Sequence, residues 1–189
     1  MNIRRVTILC SRQFIFSVII AVIALVGFAA GPASAVGTGK PQFYTDEFHF
    51  TFERTDESAI CGFTVNQTVN GYVHGWDRWN DDGSYAGGNV QVTIDGTFFS
   101  DAASVAFRAN TRNLDVGHPD GSDTGSVRGL QMLVVIPGQG AAVDAGRLIV
   151  TFPPGGGEPT LVVTVGRNSD DAFFGSPGHP GTLCALLAG

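Results

Sequence analysis

From residue 43 onward, apolar side chains recur at every second position in short runs, and most runs end at glycine, proline, asparagine or aspartate. From Phe43 to Glu53, for example, Phe48, Phe50 and Phe52 alternate with Glu47, His49, Thr51 and Glu53. A period of two places successive residues on opposite faces of an extended strand. No part of this region sustains the 3.6-residue period of an amphipathic helix. The same pattern marks residues 59–73, with Cys61, Phe63, Val65 and Val69 on one face, and residues 89–99, with Val90, Val92, Ile94 and Phe98 aligned. Shorter runs follow at 104–109, 126–136, 146–152, 160–166 and 183–187, and the run at 104–109 returns from 89–99 as a hairpin. The fold class expected is all-β: a closed antiparallel barrel of about eight strands, with a two-sheet sandwich as the alternative. Residues 130–136 are apolar on both faces, which in a barrel requires residues 36–42 or a loop to cover the outside.

The first 35 residues are of another kind. Arg4, Arg5 and Arg12 precede an uncharged run from Phe14 to Ala30, and Ala33-Ser34-Ala35 follows as a small-residue cleavage signal. This is the pattern of a cleaved, helical signal peptide at 1–35, leaving a flexible arm at 36–42 and one β domain at 43–189. An uncleaved signal anchor, tethering the same domain to the membrane, is the alternative. The residues after Arg4-Arg5 suit the general secretory route better than the twin-arginine route. Cys10 lies in no lipoprotein signal. Cleavage would leave 189 − 35 = 154 residues, with 26 − 2 = 24 glycines and a formal charge of (11 − 3) − 17 = −9. With one lysine and scattered arginines, such a chain offers no surface for nucleic acid or for stable membrane association.

Export also simplifies the cysteines. Cys61 and Cys184 are the two that remain, in a compartment where disulfides persist, and they are expected to pair; two separate buried thiols are the alternative.

The sharpest cluster of candidate binding residues is Tyr72, His74, Trp76, Asp77 and Trp79, followed by Asn80, Asp81 and Asp82. Aromatic planes beside amides and carboxylates suit either stacking on sugar rings or the mouth of an apolar cavity. The oxygen-rich run to Gly83 does not match an EF-hand, because the first ligand position falls on Arg78; it reads as a solvated turn. Two further segments are expected as loops. Residues 110–125, with Asp115, His118, Asp120 and Asp123, read as a flexible connection, and residues 168–182 as a lid in which Phe173 and Phe174 pack down over one end.

Catalytic templates are absent: there is no G-x-S-x-G elbow, H-E-x-x-H pair, phosphate loop or zinc-type cysteine spacing. No catalytic residue, metal ligand or cofactor is assigned. His49, His74, His118 and His179 are the residues through which a small-barrel isomerase or cyclase would act, with His74 or His49 set against Asp77 or Glu47.

The segments Ala59-Ile60-Cys61-Gly62-Phe63, Asp144-Ala145-Gly146-Arg147-Leu148, Val165-Gly166-Arg167 and Leu183-Cys184-Ala185 together resemble a family of small secreted actinobacterial β-rich proteins. The resemblance implies that the two cysteines are framework residues. It carries no activity, substrate or catalytic residue with it, and does not extend to the Trp76–Asp82 stretch. The expected function is therefore non-catalytic binding of a small apolar or amphipathic ligand, or of a glycan, by a secreted protein. A small-barrel enzyme and a structural protein with a filled core are the alternatives.

Overall fold

The computed structural model describes residues 39–154, 159–167 and 170–189. The expected signal peptide and most of the 36–42 arm lie outside the described residues. Seven strands follow one another through a single antiparallel sheet: β1 (Gln42–Glu53), β2 (Asn66–Trp79), β3 (Tyr85–Phe99), β4 (Ser104–Gly117), β5 (Asp123–Ile136), β6 (Gly140–Phe152) and β7 (Thr160–Arg167). A separate ribbon pairs β8 (Gly175–Ser176) with β9 (His179–Pro180). Three short helices, α1 (Thr55–Cys61), α2 (Asp170–Phe174) and α3 (Thr182–Leu187), complete the described elements.

The described chain is mostly β, as expected, but it also carries three short helices and its architecture differs from both versions of the expectation. Among the described residues no pairing joins β7 to β1, so no closed barrel is found, and there is no second large sheet to make a sandwich. The run at 183–187, expected as the closing strand, is helical instead. Leu183, Cys184 and Leu187 fall on one side of that helix and are all buried, a spacing that serves a single turn as well as a strand.

The register aligns the apolar positions. Phe50 lies opposite Val69, Val69 opposite Gly96, Gly96 opposite Phe107, Phe107 opposite Val134 and Val134 opposite Ala142, one row across six strands. Val69, Val73, Val92 and Val134 on this inner face are fully buried. Glycine lets the rings lie flat across neighbouring strands: a Cβ at Gly71 would collide with the Phe48 ring, and one at Gly96 with the Phe107 ring. On the opposite face of β5, Val135 is 65% exposed.

One end of the inner face is closed by the helices. Residues 59–61, expected in a strand, belong to α1. Asp56 and Glu57 suit its first turn, and Gly62, at φ 76°, ends it with its N–H donating to the Ser58 carbonyl. Cys61 and Cys184 form a disulfide, with Cα atoms 5.1 Å apart, that ties α1 to α3 across 123 residues. In the chain-entropy model a loop of that length is worth about 5 kcal/mol. Phe173 and Phe174 pack down as expected against Phe98, the first ring tilted and the second edge-on to it. Arg54, buried there, pairs with Glu57, donates a 2.8 Å hydrogen bond to Gln67 Oε1 and lies over the Phe98 and Phe174 rings.

Candidate functional site

At the other end of the sheet lie the β2–β3 and β4–β5 turns, which share one design. Asp82 Oδ1 accepts hydrogen bonds from the N–H and hydroxyl of Ser84, at 2.9 and 2.6 Å, and Asp120 Oδ1 accepts the same pair from Ser122, at 2.9 and 2.7 Å. Gly83 and Gly121 occupy the left-handed position between them, at φ 82° and 80°. These bonds hold both carboxyls below their ordinary range. Residues 110–125, expected as a flexible loop, are thus a hairpin built from the end of β4 and the start of β5. The Asp77–Gly83 stretch is a strand end followed by a solvated turn.

Two rows of the inner face reach this end. One runs Tyr44, Gly75, Val90, Asn113, Val127 and Leu148; the next runs Gln42, Asp77, Gly88, Asp115, Gly125 and Val150. The second row alternates carboxylate and glycine across four strands. The glycines supply the room into which the polar groups lean. A Cβ at Gly125 would lie 2.7 Å from Asp115 Oδ1, one at Gly75 would lie 3.1 Å from the Tyr44 hydroxyl, and one at Gly88 would strike both Asp77 and the Tyr85 hydroxyl.

Electrostatically this end is strained. Asp115 is pushed up to about 6, chiefly by burial and then by the charges of Asp77 and Asp123. Burial also raises Asp77, against a long 3.4 Å hydrogen bond that it accepts from the Tyr85 hydroxyl. Tyr44 and Tyr85 are raised as well, first by burial and then by the two carboxylates. Beside Asp115 stands Asn113, 0% exposed, with neither its amide nitrogen nor its amide oxygen hydrogen bonded. Its cross-strand neighbours, Val90 and Val127, offer it nothing.

The structure divides the residues singled out in the sequence. Tyr72, His74 and Trp76 are on the outer face of β2, where Phe43, 79% exposed, pairs with Trp76. Asp77 is on the inner face. Trp79 follows a register shift after Arg78, and its ring meets that of Tyr85 edge-on at 5.2 Å. His74 and Asp77, considered together as an acid–base pair, therefore stand on opposite faces. His49 bonds to Asn70 at 2.5 Å and His118 to Thr124 at 3.0 Å.

Tyr44, Tyr85 and Asn113 were not singled out in the sequence. Asp115 was named there, but as a loop residue. The one signal that pointed to them is the repeated Asp-Gly-Ser of the two turns, which marks β4 as running on to residue 117.

Among the described residues no three acidic, histidine or cysteine side chains converge to hold a metal ion, and no helix is long and apolar enough to cross a membrane. Comparison of the chain with protein-family models, curated proteins and solved structures finds no match.

Proposed function

We propose that this is an exported binding protein whose ligand is a small amphipathic molecule, held at the end of the inner face opposite the helices. The observation that carries this reading is Asn113, a fully buried amide with both ends unpaired, two residues from Asp115 on the same face. A buried amide without partners costs about 1–3 kcal/mol, and a ligand whose polar head bonds to it relieves part of that cost. The inner face near that end is apolar, carrying Val73, Val90, Val92, Val127 and Leu148, all buried within the chain, so the apolar part of the ligand enters by displacing their present contacts. Export is supported by the leader pattern and by the disulfide, which suits an oxidising compartment.

The two tryptophans make the test local, since Trp76 reports from the outer face and Trp79, against Tyr85, from the inner one. In Trp76→Phe, titration with decanol is expected to shift the Trp79 emission saturably. A glycan on the outer aromatic stripe would instead move only Trp76, in Trp79→Phe titrated with oligosaccharides. Silence of Trp79 toward decanol overturns the amphiphile reading.

A further inference from the structure

Resting on that reading, we infer that the ligand's polar head is a cation, an organic ammonium group, seated between Asp77 and Asp115.

The register sets these carboxylates on β2 and β4 with only Gly88 between them on β3, so their backbones are two interstrand spacings apart, roughly 10 Å. The residue between them, Gly88, has no side chain of its own, and Asp77 Oδ1 and the Tyr85 hydroxyl lean into the room it leaves. Each carboxylate is half-buried on the inner face, and among the described residues neither is bonded to a basic group. The polar neighbours that face them are Tyr44 from β1, Tyr85 from β3, Asn113 from β4 and Asp123 from β5; none of these is a cation. A protein that buries like charges without a counter-ion leaves an electrostatic deficit that a cationic ligand removes on binding.

The other end of the same face shows the contrast within one molecule. There the buried Glu57 has its own guanidinium, Arg54, and needs nothing from outside.

An ammonium suits the geometry better than the other cations available. A divalent metal ion requires several ligands converging on one point, and among the described residues no three acidic, histidine or cysteine side chains come together. An organic ammonium needs only two or three acceptors, for which the candidates on this face are the carboxylates of Asp77 and Asp115 and the Asn113 amide oxygen. It also carries the alkyl body that the valine-lined face accommodates. The net charge of the chain favours the same sign, because its acidic residues outnumber the basic ones, 17 to 11.

The experiment compares three ligands with one chain length, decylamine, decanol and decanoate, by Trp79 emission in Trp76→Phe at pH 7.5. Replacing a neutral hydrogen bond by charge-assisted ones predicts that decylamine binds at least about tenfold tighter than decanol, with decanoate the weakest. In the double variant Asp77→Asn/Asp115→Asn the ratio of amine to alcohol affinity is expected to fall to about one. Equal affinity for all three ligands overturns the cationic head while leaving an amphiphile site. Binding of none overturns the site itself. A preference for amine that survives in the double variant places the cation elsewhere and also overturns the inference.

Discussion

The two ends of the inner face bury charge in opposite ways. Where α1, α2 and α3 cover the sheet, Arg54 and Glu57 are only 2% and 5% exposed, yet they pair with each other, and Arg54 also has Gln67 and two aromatic rings. At the far end Asp77 and Asp115 have each other's charge, two tyrosines raised by the same burial, and an unpartnered asparagine. The first arrangement satisfies itself, so its role is to hold the fold. Among the described residues the second lacks such partners, and it is there that we propose a ligand binds.

Removing one partner at the helix end tests the comparison most severely. Arg54→Met strands Glu57 among aromatic rings and is expected to cost about 4 kcal/mol in urea unfolding, whereas Arg54→Met/Glu57→Leu recovers most of that loss. A small effect of the single variant would mean that the two ends are not opposites.

At the far end the sign reverses. The folded pKa of Asp115, about 6, lies above its ordinary 3.8, so between those values the native state holds a proton that the unfolded chain has released. Stability therefore falls as pH rises through that window and stays low above it. Asp115→Asn, which has no charge to bury, is expected to be more stable than the parent by about 2 kcal/mol at pH 7.5, with the gain shrinking as the pH approaches 4. Thermal melts across that range check it; a variant less stable than the parent at neutral pH would show that the carboxylate is compensated after all.

The smallest effect sharpens the picture. Asn113→Val removes an amide that bonds to nothing and fits between Val90 and Val127, so the unliganded protein is expected to gain about 1 kcal/mol while losing affinity for decanol. A loss of stability would indicate a bridging partner for the amide.

Much of the sheet was legible in the chain because period two is a local property. Phe48, Phe50 and Phe52 could be assigned to one face of β1 without knowing what lay beside them. The same rule, applied strictly, separates Tyr72, His74 and Trp76 from Asp77, since their positions differ in parity; grouping them by proximity in sequence joined two faces that the backbone holds apart. Residues 110–125 misled because their polarity suggested solvent. Alternation is present there too, but Asn113 and Asp115 occupy the inward positions, where apolar side chains are the usual sign of a strand. The helices at 55–61 and 182–187 were missed for a related reason. At five to seven residues, one turn and one short strand expose the same few apolar side chains, and only their packing decides between them.

The sequence by itself determined the β class, the alternation of faces, the solvated turn that ends at Gly83 and the eligibility of Cys61 and Cys184 to pair, all of which depend on neighbours along the chain or on counting. Only the tertiary structure decided that the sheet ends at β7 without pairing to β1 among the described residues, and that Asp77, Gly88, Asp115 and Gly125 stand in one row. The physical reason is register. A shift of one residue between any two of these strands would turn one set of side chains outward, and what fixes the register is the packing of the whole inner face.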